Sequence, residues 1–218
     1  MVSSGSQSDT AAAGGDTIAA AGRGILSESA QEVTDAELLA RTRNGDVGAF
    51  GELVQRHQRA VYAVVSGMVS SRDDVDDIVQ DAFVSAYKSV GAFKGEAAFS
   101  TWIYRIAVNT TIKHIRKAKV REASSIDDPV TGLADSLVSS NGDGPEQAAE
   151  KRERDEAVRS AVQELPEKHR AVVVLYYFQN LGCDEIAKVL ECSVGTVWSR
   201  LHYACKKLRG RLAANYEC

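Results

Sequence analysis

At 218 residues the chain is long enough for one large domain or two small ones, and with 44% hydrophobic residues each could bury a core. Only 3 prolines interrupt it, so long helices are permitted. No apolar run reaches membrane-spanning length, and the N-terminus lacks the basic segment and apolar core of a secretory signal, so the protein is expected to stay where it is made. The net charge of -4 hides a segregation: Lys and Arg against Asp and Glu number 1 to 4 in residues 1–34, 13 to 10 in 35–121, 0 to 7 in 122–150 and 12 to 9 in 151–218. Two basic blocks flank an acidic strip. Salt screens charges beyond about 10 Å, so local fields decide DNA binding and the overall acidity does not exclude it.

Residues 1–33 are rich in Ala, Gly and Ser with no sustained period and read as a disordered tail, with a weak apolar patch at Ile25-Leu26. Order is expected from Thr34, which with Glu37 makes a capping box. Leu38, Leu39, Ala49, Phe50, Leu53 and Val54 recur at helical spacing, broken at Asn44-Gly45-Asp46, which predicts a helix, a turn and a second helix. The second continues through Val61, Val64, Val65 and Met68 and ends near Ser70-Ser71. Ser71 and Asp74 mark the next start, and Val75, Ile78, Val79, Ala82 and Ala86 form its buried stripe, with Phe83 and Tyr87 beside it. Asp73, Asp76, Asp77, Gln80 and Asp81 face out. By itself this is a solvated face.

After Gly91, the aromatics Phe93, Phe99, Trp102 and Tyr104 are interleaved with cations, and a helix with Ser100 as its N-cap collects Arg105, Lys113, Arg116, Lys117, Lys119 and Arg121. Asn109 shares the side of Arg105, Lys113 and Arg116. Rings for base stacking and cations for phosphates are what single-stranded nucleic acid needs. Phe99 and Trp102 fit a core equally, and the core is preferred for Trp102. Residues 122–150 hold Asp127-Asp128-Pro129 and Asn141-Gly142-Asp143-Gly144-Pro145 without a single Lys or Arg, and read as a mobile acidic linker. Helical pattern resumes from Glu146 to Leu165. Pro166 opens the first turn of another helix, whose Val172, Val173, Leu175, Tyr176 and Phe178 should cover the last element.

That element runs from Cys183 to Leu208. A first helix carries Ile186, Ala187, Val189 and Leu190; after the turn Glu191-Cys192-Ser193, a second helix capped by Ser193 repeats Val197, Leu201, Ala204 and Leu208. Small Ala187 and apolar Val197 permit a steep, close crossing, the helix-turn-helix arrangement. Thr196, Trp198, Ser199, His202, Tyr203 and Lys206 then face outward, flanked by Arg200 and Lys207, within reach of base edges and phosphates of a major groove. An ordinary amphipathic helix pair would show the same stripe.

Cys183, Cys192, Cys205 and Cys218 contain no CxxC pair and read as reduced structural thiols. His57, His114, His169 and His202 are scattered without an adjacent acid or nucleophile, and no GxxxxGK[ST] phosphate loop occurs, so no catalysis, metal or cofactor is expected.

In this order, a capped helix pair, DDIVQDAFVSAYKS, FSTWIYRIAVNTTIKHIRK, an acidic linker and LPEKHRAVVVLYYFQNLGCDEIAKVLECSVGTVWSRLHYACKKL, the chain resembles the extracytoplasmic-function sigma factors, promoter-recognition subunits of bacterial RNA polymerase, over about residues 34–212. The resemblance implies an all-α fold of two small helical domains, residues 34–121 and 151–218, joined by the flexible acidic linker 122–150, the second a helix-turn-helix, winged-helix-like DNA-binding domain. It implies that Asp76, Asp77, Gln80 and Asp81 dock on the coiled coil of the largest polymerase subunit, with the polymerase flap a further contact. Lys94, Arg105, Asn109, Lys113 and Arg116 would hold the single non-template strand of the minus-10 element. Thr196, Trp198, Ser199, Arg200, His202, Tyr203 and Lys206 would read the duplex minus-35 element. An anti-sigma partner, a stress-response regulon, and a cytoplasmic location, on the nucleoid when active and tethered to the membrane at most through that partner, complete the expectation. Four features depart from the usual pattern: Lys113 stands where an acid is common, Glu191 where Gly is usual, Trp198 where a cation is frequent, and Tyr203 and Cys205 where residues are often basic or small. The competing readings are a free-standing dimeric helix-turn-helix regulator, whose residues 34–121 would need a sensor pocket, and an enzyme.

Overall fold

A computed structural model describes residues 33–124 and 145–216. The expected tail up to Glu32 and the centre of the expected linker, 125–144, lie outside the described residues. All regular structure among the described residues is helical.

The first bundle is built on local capping. Helix α1 (Asp35–Arg43) starts at the reciprocal box in which Thr34 N–H donates to Glu37 Oε2 at 2.8 Å and Glu37 N–H donates to Thr34 Oγ1 at 3.3 Å. Helix α2 (Val47–Met68) is capped by Asp46, which accepts from Ala49 N–H at 3.1 Å while Arg41 clasps the same carboxylate at 2.8 Å. Helix α3 (Arg72–Ser89) starts from Ser71, as expected, and a short tight turn at Val90–Ala92 follows. Helix α4 (Phe99–Ser124) begins one residue before the expected cap, so Ser100 lies inside its first turn. Burial explains the shift: Phe99, 4% exposed, packs edge-on to His57 with centroids 4.9 Å apart, and this anchor sets where the helix begins.

The expected linker is trimmed at both ends. α4 continues through Glu122 and Ala123, good helix formers, and helix α5 (Pro145–Gln163) opens on Pro145, whose fixed φ and missing N–H suit a first turn. Helix α6 (Glu167–Val173) then runs into a wide π turn at Val174–Phe178. Its i→i+5 bonding breaks the 3.6-residue count. Tyr176, Tyr177 and Phe178 are therefore 36%, 56% and 46% exposed, and Tyr176 and Phe178 do not cover the helix-turn-helix as their spacing suggested. Ala171 and Val174 take the buried places beside Val172, Val173 and Leu175. Helices α7 (Cys183–Leu190) and α8 (Val194–Tyr216) complete the second bundle.

α2 packs against α1, α3 and α4; α8 packs against α5, α6 and α7. The bundles also meet each other, α4 on α7 and α2 on α6 and the π turn, and one apolar cluster runs from Leu38 through Val65, Ile103 and Val174 to Leu201. Gly67 permits the approach of α2: a Cβ there would lie 2.9 Å from both methyls of Val174. Gly67→Ala should therefore cost about 1–2 kcal/mol of overpacking. Gly51→Ala, where a Cβ meets nothing within 4 Å, should be neutral or stabilising. Equal urea midpoints for the two variants would show that the α2–Val174 approach is not tight.

Candidate nucleic-acid and partner interfaces

The helix-turn-helix forms at the expected residues. α7 stops because Glu191 turns left-handed, φ 49 and ψ 49, which lets Cys192 N–H reach back to Ala187 O at 3.1 Å. Ser193 Oγ then accepts from Thr196 N–H at 3.2 Å to start α8. Ile186, Ala187, Val189, Val197 and Leu201 are buried in the main apolar cluster, and Ala204 is buried in a second one with Val162, Leu165 and Val173. On the outer face Trp198 is 59% exposed, and Ser199, His202 and Lys206 are also open to solvent. The others named for this face are tied down to differing degrees. The Thr196 hydroxyl bonds that of Ser193 at 2.8 Å, and Tyr203 leans on His169 of α6 with ring centroids 4.6 Å apart. Arg200 is half-buried with Nη1 3.8 Å from Cys192 Sγ, and flanking Lys207 donates to Glu164 O at 3.2 Å.

On α3, Asp76, Asp77, Gln80 and Asp81 are all exposed. Beside them lies an apolar groove of about 450 Å³, floored by Val47, Phe50, Val54, Val79, Phe83 and Tyr87, with Asp76 and Gln80 on its rim. The acidic face thus adjoins uncovered hydrocarbon, a feature that residue spacing alone does not reveal.

On α4, Asn109, Lys113 and Arg116 are exposed along one face, and Lys94 is exposed in a loop turned by Gly95 at φ 77. The loop is held from α1, where Arg43 donates to the carbonyls of Val90 and Phe93. Phe93 and Phe99 are buried and Trp102 half-buried; their rings pack on one another at 4.9 to 6.5 Å, so for these rings the core reading stands. Arg105 differs from its neighbours. Its Nη1 meets Glu191 Oε1 at 2.7 Å and its Nη2 donates to Lys188 O at 2.7 Å, while Nε has no acceptor. A residue assigned by sequence to the minus-10 face is therefore bonded to the end of α7 and the turn that follows it.

Arg170 carries no motif in the sequence. It is 6% exposed and donates to Met68 O at 2.6 Å, Gln163 Oε1 at 2.6 Å, Leu165 O at 3.0 Å and Gln163 O. Met68 and Gln163 are the last residues of α2 and α5, where unpaired carbonyls carry the negative end of the helix dipole. Those carbonyls, with the Gln163 amide oxygen, take up both terminal nitrogens of a buried cation without a carboxylate bond while Nε has no acceptor, and burial pulls the guanidinium below its usual pKa. The available signal was one cation heading the apolar run AVVVL. Nearby, Tyr104 Oη donates to Gln179 Oε1 at 3.4 Å across the same seam, and burial raises the phenol's pKa. Cys183, Cys192 and Cys205 are free thiols, and no cluster of His, Cys, Asp and Glu among the described residues could hold a metal ion.

Two helical bundles thus carry these surfaces, one a helix-turn-helix and the other a cationic helix face and an acidic one. The sequence matches the family models for Sigma-70 region 2 over residues 53–121 and Sigma-70, region 4 over residues 155–208. The ECF RNA polymerase sigma-E factor of Haemophilus influenzae is 35% identical over 192 residues, covering 84% of this chain and 97% of the relative. The ECF RNA polymerase sigma-E factor of Escherichia coli K12 is 37% identical over 178 residues, covering 80% and 92%. Among solved structures, CnrH in complex with the cytosolic domain of CnrY superposes with a TM-score of 0.59 at 28% identity, covering 83% of this chain and 97% of that one. The sigma factor RpoE of Bartonella quintana, in complex with the anti-sigma factor NepR, shares the fold with a TM-score of 0.58 at 20% identity, covering 77% and 98%. The chain belongs to the ECF sigma factors of the sigma-70 family. It is a non-enzymatic RNA polymerase sigma factor, working with the polymerase core and promoter DNA. Among the described residues no helix is long and apolar enough to cross a membrane.

Proposed function

We propose that the chain docks on core polymerase through Asp76, Asp77, Gln80 and Asp81, holds the minus-10 non-template strand with Lys94, Arg105, Asn109, Lys113 and Arg116, and reads the minus-35 element with Thr196, Trp198, Ser199, Arg200, His202, Tyr203 and Lys206. Residues 34–121 and 151–218 act as the two functional domains, with 122–150 connecting them. The observation that carries the docking role is the acidic face beside the apolar groove on α2 and α3. A basic coiled coil can satisfy both parts at once, its cations meeting the carboxylates while aliphatic stems and apolar residues cover the groove. On the DNA side, Asn109, Lys113 and Arg116 stand open along one helix face, and Trp198, His202 and Lys206 along another. The factor works in the cytoplasm, serves a stress-response regulon, and is held in reserve by an anti-sigma partner through which it can be tethered indirectly to the membrane. CnrH was solved bound to the cytosolic domain of CnrY, which supports a protein partner of this kind.

Replacing Asp77 by Ala together with Gln80 by Arg should weaken capture by purified core polymerase by roughly ten-fold with circular dichroism unchanged. Unchanged capture by a folded variant removes the docking role. In vitro transcription with core enzyme and a promoter library should give promoter-specific starts, and their absence overturns the reading of the DNA faces.

A further inference from the structure

The helix-turn-helix turn occupies part of the face assigned to single-stranded DNA. α7 packs on α4, and the carboxylate of Glu191 sits 2.7 Å from Arg105 Nη1, on the guanidinium expected to meet a phosphate. We propose that Glu191 is a built-in competitor for the minus-10 strand: in the closed packing its carboxylate stands in for a DNA phosphate on Arg105, so that DNA must displace the turn to occupy the site. The inference rests on the assignment of Arg105 to the minus-10 face.

Three observations carry it. A guanidinium grips carboxylate and phosphate with the same planar fork, so the two anions exclude one another at Arg105. The arginine is 30% exposed, and with Nη2 donating to Lys188 O its Nη1 is held by one oxygen of the Glu191 carboxylate, the contact for which a phosphate would compete. The backbone of Glu191 is left-handed, a conformation that glycine adopts with less strain, so a side chain there is disfavoured by the turn itself and supported by its bond across the seam. Since Glu191 caps the C-terminal end of α7, the contact ties the helix-turn-helix to the face assigned to the single strand.

The test uses the full chain and a fluorescein-labelled, random-sequence single-stranded oligonucleotide, read by anisotropy at fixed salt. Glu191→Gly keeps the turn and removes the carboxylate, and Glu191→Gln keeps the shape and removes the charge. Both should bind roughly two- to five-fold more tightly than the parent, the range expected for releasing one partly exposed ion pair. Asp184→Asn makes the same charge change on α7 without touching Arg105 and should gain less. Arg105→Ala should bind more weakly, and adding Glu191→Gly to it should bring no further gain. Glu191 variants no tighter than Asp184→Asn, with Arg105→Ala weakened, would reduce Glu191 to a helix terminator and overturn the inference while leaving the minus-10 assignment in place. Arg105→Ala binding like the parent would overturn both.

Discussion

Arg170→Ala is expected to lower the unfolding free energy by about 2–4 kcal/mol, read from urea unfolding followed by circular dichroism. The side chain supplies donors to Met68 O, Gln163 O and Leu165 O, and without it these buried carbonyls lose partners at about 1–3 kcal/mol each. The full sum is not reached, because removing a buried cation also recovers its desolvation cost. Arg170→Lys keeps the charge but not the planar fork, so it can serve only part of the carbonyl set and should fall between the parent and alanine. A variant with the parent's midpoint would mean that the ends of α2 and α5 are held together by apolar packing alone.

Replacing Arg200 and Lys206 together by alanine should reduce minus-35-dependent transcription by about ten-fold or more. If each meets a phosphate, the dependence of log affinity on log salt should flatten by roughly 2, about 0.9 for each phosphate no longer neutralised. The single variants separate two roles. Lys206 is exposed, so Lys206→Ala should act on DNA alone, whereas Arg200 is half-buried beside Cys192 and its removal should also loosen the turn. An unchanged salt slope in the double variant would move the phosphate-binding positions elsewhere on α8.

Features governed by near neighbours were legible in the sequence. The Thr34–Glu37 box, the caps at Ser71 and Ser193, and the stripe Val197, Leu201 and Ala204 all depend on residues within one or two turns, and each stands where spacing placed it. Meetings between distant residues were not legible. Arg105 and Glu191 are 86 positions apart and Arg170 and Met68 are 102 apart, and no periodicity encodes such pairings. The π turn misled for a different reason: one wide turn re-aims Tyr176 and Phe178 while the hydrophobic pattern still reads as a regular helix. Tyr203 remains 46% exposed on the face its spacing gave it, although its ring also packs against His169, a contact spacing does not reveal. The partner roles of the acidic and cationic faces came from family resemblance, because a row of carboxylates such as Asp76, Asp77 and Asp81 does not itself name a partner.

Two of the polar fasteners between the bundles obey different physics. Arg170 is buried and bonded to neutral carbonyls at the junction of α2 with α6, out of reach of mobile ions, whereas Arg105 and Glu191 form a partly exposed ion pair between α4 and α7. Added electrolyte therefore weakens the second fastener and scarcely touches the first. The seam thus holds one contact that responds to the ionic composition around it and one that yields only when the helix ends themselves come apart.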